Sequence, residues 1–229
     1  MEKSKTGLIV ALDVDNLSKA EEFIDLLYPE VEIFKIGSQL FTLYGPEVVK
    51  MVHKKGAKVF LDLKFHDIPN TVANAAIAAT RLNVFMFNVH AQGGLEMMKR
   101  TKEAAEVEAN KLGAKPPLII GVTVLTSTSE NSTIKPLVAT LTEDVDKAGL
   151  DGVVASVKEA GFIRSNFGSK FIIVTPGIRL KNATNDDQKR IATPLDAVEA
   201  GANYIVVGRP ILNSSKPKET AKLILAQLN

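Results

Sequence analysis

The chain has 229 residues, 45% of them hydrophobic, enough for one substantial core, and lengths of about 200 to 250 residues commonly close into a single α/β barrel. Lys and Arg number 28 and Asp and Glu 26, so the net charge of +2 is too small to argue for a nucleic-acid surface and no nucleic-acid partner is expected, and the absence of Cys removes disulfides, thiolate nucleophiles and cysteine metal sites. Met1 to Gly7 lead straight into a strand pattern, and no stretch approaches the roughly 18 apolar residues of a membrane span, so one cytoplasmic domain over residues 1–229, with no membrane partner, is expected.

Short β-branched runs alternate with longer amphipathic segments along the whole chain. The runs are Leu8 to Val14, Glu32 to Ile36, Lys58 to Leu63, Val84 to Val89, Leu118 to Val124, Gly152 to Val154, Phe171 to Val174 and Tyr204 to Val207. Helical patterns between them include Ser18 to Leu27, Pro46 to Lys54, an Ala-rich segment opened by Pro69 and Asn70, Leu95 to Lys111 and Thr193 to Ala200. Gly56, Gly113, Gly149 and Gly201 read as helix stops. Eight βα units predict a closed (β/α)8 TIM barrel of the α/β class. An open doubly wound sheet would carry G-x-G-x-x-G after its first strand, and Ala11-Leu12-Asp13-Val14-Asp15 lacks it.

A barrel of this kind gathers its chemistry at the carboxyl ends of the strands. Strand one delivers Asp13, strand two Lys35, strand four His90, and strand five Thr126 and Ser127. Strand three ends in Asp62-Leu63-Lys64-Phe65-His66-Asp67, followed by Ile68-Pro69-Asn70-Thr71. On a regular strand Asp62 and Lys64 project from one face and reach the same small molecule. An isolated D-x-K is more often a buried salt bridge tying strand to loop. The second carboxylate at Asp67 and the polar residues on other strands favour a functional cluster. Strand seven runs into Thr175-Pro176-Gly177-Ile178-Arg179 and strand eight into Gly208-Arg209-Pro210, where backbone N–H groups beside a guanidinium form an anion cradle at the usual phosphate corner of the fold. The polar segment Leu180 to Arg190, which contains Gln188, reads as a lid over that phosphate, with an irregular solvated loop as the alternative until Gln188 is shown to touch ligand.

The histidines carry less. His53 lies beside Lys54 and Lys55 and is read as solvated, His66 as lying beyond the end of its strand, and His90 as a hydrogen-bonded structural residue. No spacing suggests a metal cage, and Lys64 competes with any cation for the Asp62 and Asp67 carboxylates, so no metal is expected.

With these residues in view, the chain resembles the orotidine 5′-phosphate decarboxylase family over almost its full length. The resemblance rests on Ala11-Leu12-Asp13, Phe34-Lys35-Ile36-Gly37, Asp62 to Thr71, Val89-His90-Ala91, Gly121 to Ser127, Thr175 to Arg179 and Val207 to Ile211, and the length is similar to the monofunctional microbial form. It implies loss of CO₂ from C6 of orotidine 5′-monophosphate in de novo UMP synthesis, without metal or organic cofactor. Lys64 would be the proton donor, Asp62 would lie near the departing carboxylate, and Asp67 would serve the neighbouring active site of a homodimer. Asp13 and Lys35 would hold the ribose, Thr126 and Ser127 the pyrimidine edge, and Gln188, Gly208 and Arg209 the phosphate. Arg179 would order the lid or bind phosphate, and Ile68, Thr71 and Pro176 would complete the substrate pocket. Two rivals stand beside this reading: a Mg²⁺-dependent hexulose-phosphate synthase or sugar-phosphate decarboxylase, which carries an acidic ligand where this chain has Lys35, and a non-catalytic nucleotide sensor.

Overall fold

Eight parallel strands close on one another in chain order, with β8 returning to β1. They are β1 (Gly7–Ala11), β2 (Ile33–Gly37), β3 (Lys58–Phe65), β4 (Met86–His90), β5 (Leu118–Val122), β6 (Gly152–Val154), β7 (Ile172–Thr175) and β8 (Tyr204–Val207). The computed structural model describes residues 6–125, 132–180 and 192–228. Around the barrel run α1 (Leu17–Leu27), α2 (Ser38–Tyr44), α3 (Pro46–Lys54), α4 (Pro69–Arg81), α5 (Leu95–Lys111), α6 (Ile134–Lys147), α7 (Val157–Phe167), α8 (Pro194–Glu199), α9 (Arg209–Leu212) and α10 (Pro217–Gln227). Among the described residues no helix is long and apolar enough to cross a membrane.

The helices begin where their sequences provide caps. Asn16 accepts the Lys19 N–H at 3.2 Å ahead of α1, Ser156 and Glu159 form a capping box on α7, and Thr193 and Asp196 form another on α8. Pro46, Pro69, Pro194 and Pro217 occupy first turns, where a missing N–H costs nothing. The four glycines read as helix stops all adopt left-handed backbone.

Because both faces of a parallel barrel are covered, its strands are apolar on both. Val10, Phe34, Leu61, Phe87, Ile119 and Ile173 pack outward against the helices, while Ile9, Ile33, Phe60, Met86, Ile120 and Val174 fill the barrel interior. Each such side chain contributes about 1.5–3 kcal/mol on burial. β6 approaches β7 so closely at Gly152 that a Cβ there would lie 1.9 Å from the Ile172 carbonyl oxygen. Glycine is required at that position.

Alternation then positions the site. Two residues beyond the inward-facing Ile33, Phe60 and Met86 stand Lys35, Asp62 and Asn88, on three adjacent strands. The first interior layer is thus apolar, and the next is polar on one side of the barrel, toward the strands' carboxyl ends.

Strand limits differ from expectation in instructive ways. β1 ends at Ala11, not Val14, although the Leu12 N–H still donates to the Lys35 carbonyl at 3.0 Å. β5 ends at Val122, not Val124, and just beyond it Thr123 donates both its hydroxyl and its N–H to the Val154 carbonyl, at 3.0 and 3.4 Å. β3 runs two residues past its expected end at Leu63, through a local distortion.

Candidate active site

The distortion in β3 carries the charged pair Asp62 and Lys64. Leu61 pairs with Phe87 and Phe65 with Val89, so Asp62, Leu63 and Lys64 together face Asn88 alone. This is a bulge, a device that redirects side chains. Lys64 adopts φ +51°, a conformation that L-residues other than Asn, Asp and Gly seldom occupy and that concentrates at functional sites. The regular-strand explanation for the meeting of Asp62 and Lys64 is therefore corrected. They do meet, with Lys64 Nζ 2.6 Å from Asp62 Oδ1, but across a bulge that left-handed backbone makes possible.

Asn88 spans this bulge. Its Oδ1 accepts the Lys64 backbone N–H at 2.8 Å, and its Nδ2 donates to Asp62 Oδ1 at 2.7 Å. It is 1% exposed. On the other side, Lys35 Nζ donates to Asp13 Oδ1 at 3.0 Å and lies 3.2 Å from Asp62 Oδ2. The result is a continuous row, Asp13–Lys35–Asp62–Lys64, with alternating charge and with Asn88 beneath its far end.

Burial opposes the charge on Asp62, but Lys35 and Lys64 and the hydrogen bonds from Lys64 and Asn88 outweigh it and hold the carboxyl at about 2. Burial likewise opposes the Lys35 ammonium, and Asp62 and Asp13 outweigh it, raising its pKa. Both groups are thus ionised at neutral pH. A carboxyl whose folded-state pKa is depressed contributes stability that is fully present above its unfolded value and lost as pH falls through the folded one. Between about pH 4 and pH 2 the protein should therefore lose about 2 kcal/mol that Asp62→Asn does not lose. Urea unfolding of both proteins at the two pH values reads the difference, and parallel slopes would contradict this electrostatic account.

Asp13 lies half in solvent, between the ends of β2 and β8. A Cβ at Gly37 would fall 3.2 Å from Lys35 Nζ and 3.5 Å from Asp13 Oδ1, and one at Gly208 would fall 3.4 Å from Asp13 Oδ2. Glycine at both positions leaves the mouth open above the charged row. Gly208 and Arg209 begin α9 there, with Pro210 in its first turn. Pro176 and Arg179 follow β7. The Arg179 N–H donates to the Ala192 carbonyl at 2.8 Å and the Ala192 N–H to Gly177 at 3.3 Å, so the chain returns to the same place after the intervening residues.

Asp67, Ile68 and Thr71 are not drawn into this row. Asp67 is exposed and accepts the Ile68 N–H at 2.7 Å at the start of α4, and Ile68 is 66% exposed. Among the described residues Lys64 pairs with Asp62 and forms no ion pair with Asp67. Thr126, Ser127, Gln188 and the rest of the expected lid lie outside the described residues.

The histidines need two corrections. His53 is partly buried, not solvated, and desolvation lowers its pKa. His90 packs against His66 with ring centroids 5.3 Å apart and planes tilted by 40°, and its Nδ1 is buried with no hydrogen-bond partner among the described residues. Burial, then the nearby His66 and Lys64, lower its pKa, so its imidazole is neutral at pH 7. Among the described residues no three His, Asp or Glu side chains are grouped to hold a metal ion.

Sequence reasoning missed Asn88, which sits in the run Met86-Phe87-Asn88-Val89. Its signal was the period of two, which aligns it with Met86 and His90 on the barrel interior.

A model of the orotidine 5′-phosphate decarboxylase / HUMPS family matches residues 6–224. The chain is 46% identical to the orotidine 5′-phosphate decarboxylase of Geotalea daltonii, over 99% of its own length and 98% of that protein's. It is 48% identical to the enzyme of the same name from Syntrophotalea carbinolica, over 99% and 96% of the two chains. Among solved structures, orotidine 5′-phosphate decarboxylase from Lactobacillus acidophilus superposes with a TM-score of 0.86 at 36% identity, covering 98% of this chain and 99% of that one.

Proposed function

The chain belongs to the orotidine 5′-phosphate decarboxylase / HUMPS family, and from that premise we propose that it converts orotidine 5′-monophosphate to UMP and CO₂ with no metal or organic cofactor. The position of the Lys64 ammonium, 2.6 Å from a buried, ionised Asp62 at the barrel mouth, carries this reading. The C6–carboxylate bond breaks heterolytically, CO₂ leaves, and the electron pair stays on C6. Lys64 stabilises that developing negative charge and then transfers a proton from Nζ to C6, and water returns a proton to the amine. One proton is consumed per turnover.

Asp62 and Lys35 act by charge. Asp62 holds the Lys64 side chain aimed, 2.6 Å away, and the charges are in place before the reaction begins, which removes the cost of reorganising solvent. Asp13 and Lys35 would take the ribose hydroxyls. Gly208 and Arg209, with Gln188, would grip the phosphate, Thr126 and Ser127 the base, and Ile68, Thr71 and Pro176 the remaining pocket, with Arg179 at the lid. Binding energy from the remote phosphate then serves the reacting ring. Asp67 acts in the neighbouring site of a homodimer, a reading supported by its exposure and by the lack of an ion pair with its own Lys64. As an enzyme of pyrimidine biosynthesis, the protein would work in the cytoplasm.

The Mg²⁺-dependent branch fits these residues less well. Both oxygens of Asp62 already face ammonium groups, Lys35 at 3.2 Å and Lys64 at 2.6 Å, which compete with a cation. With purified protein and excess EDTA, orotidine 5′-monophosphate should be consumed, with the ultraviolet change of decarboxylation and equimolar UMP. Activity only on a sugar phosphate, and only with Mg²⁺, would move the chain to the other branch. Saturable nucleotide binding without turnover would make it a sensor.

A further inference from the structure

We infer that Asn88 is a positioning residue for the decarboxylation: its one amide holds the left-handed backbone of Lys64 and the carboxylate of Asp62 together, and so sets the distance between proton donor and buried anion. The inference rests on the function proposed above and deepens it.

Three residues of β3 face Asn88 alone, and the ladder is broken there. A backbone N–H that loses its ladder partner in a buried strand must find another. The Lys64 N–H finds Asn88 Oδ1 at 2.8 Å, and the other half of the amide donates to Asp62 Oδ1 at 2.7 Å, the oxygen that Lys64 Nζ also meets at 2.6 Å. Asn88 is thus tied to Lys64 at its backbone directly and at its ammonium through Asp62. A short, rigid side chain with one acceptor and one donor in a plane is what this geometry takes. Serine is too short to reach both groups, and leucine would orphan both. Asn88 is 1% exposed, lies below the row of charges, and directs its side-chain hydrogen bonds to Lys64 and Asp62. Its effect should therefore fall on turnover and not on nucleotide binding.

The decisive variant is Asn88→Asp, which has the same shape and can still accept the Lys64 N–H. Ionised, it offers Asp62 an oxygen in place of a donor. Protonated, it restores the donor, so the deficit depends on pH. The groups that bear on this titration are Asp62 and Lys64 from β3, Lys35 across Asp62 from β2, and His90 two residues along β4. β5 brings the apolar Ile120 and Val122.

The expected result is a kcat lowered on the order of 100-fold at pH 8, the size of a misplacement of about 1 Å, with UMP affinity within about threefold of wild type. The deficit should shrink as pH falls. Wild-type kcat across the pH range would overturn the inference. So would a pH-independent loss shared equally by kcat and UMP affinity, the mark of a merely structural role. Should the variant fail to fold by circular dichroism, Asn88→Ser carries the same kcat and affinity test, and failure of both to fold would assign Asn88 to the fold alone. Wild-type protein assayed alongside separates the two ideas: inactivity of the wild type sinks the proposed reaction, whereas an active wild type with indifferent variants sinks only the role of Asn88.

Discussion

Lys64→Ala should lower kcat by about 10⁴-fold or more while leaving UMP binding measurable. General acid catalysis contributes typically about 10²–10⁴-fold, and removal of one electrostatic stabiliser costs about 10²–10³-fold. Lys64 is assigned both tasks, so its loss should exceed either alone. Nucleotide binding should survive because Asp13, Lys35, Gly208 and Arg209 remain. Lys64→Arg separates the tasks: a guanidinium keeps the positive charge beside Asp62 but does not release a proton at these pH values. If protonation of C6 matters, the arginine variant should be nearly as slow as the alanine one. Single-turnover rates, with UMP affinity measured by isothermal titration, provide the comparison, and wild-type-like turnover in Lys64→Ala would remove Lys64 from the mechanism.

The architecture was legible because hydrophobic pattern and punctuation agree all along this chain. All eight expected strands are present, and Pro46, Pro69 and the helix-stop glycines occupy the places their chemistry suits. The charged half of the site was legible for a related reason: Asp62 and Lys64 stand where an ordinary barrel strand would place apolar side chains. The bulge was less accessible. Nothing in Asp-Leu-Lys announces a positive φ, since the usual signal is Gly or Asn, and the conformation of Lys64 is imposed by tertiary contacts and not by local propensity. Asn88 went unread for the complementary reason, because a single amide in an apolar run is chemically quiet until its partners are known. Those partners lie 24 and 26 residues away in sequence. The exposure of Ile68 belongs to the same class, since only the folded chain reveals that this part of the motif faces away from its own charged row.

That outward-facing edge leads to the second large effect. Asp67 and Ile68 stand at the start of α4, exposed, and Asp67 makes no ion pair with the Lys64 of its own chain. If a partner copy's Lys64 receives Asp67, each active site of a two-fold dimer combines a Lys64 from one subunit with an Asp67 from the other. Lys64→Ala and Asp67→Asn homodimers should then each be nearly inactive, since both of their sites carry a lesion. Mixed in equal amounts and allowed to exchange, half of the dimers become hybrids. In a hybrid one site carries both lesions and the other neither, so about a quarter of all sites, and about a quarter of wild-type activity, should return. Native mass spectrometry establishes that hybrids have formed. Proven exchange without recovery would mean that Asp67 serves its own subunit, and the charged row would then have to reach it by a rearrangement of the Asp67–Ile68 turn.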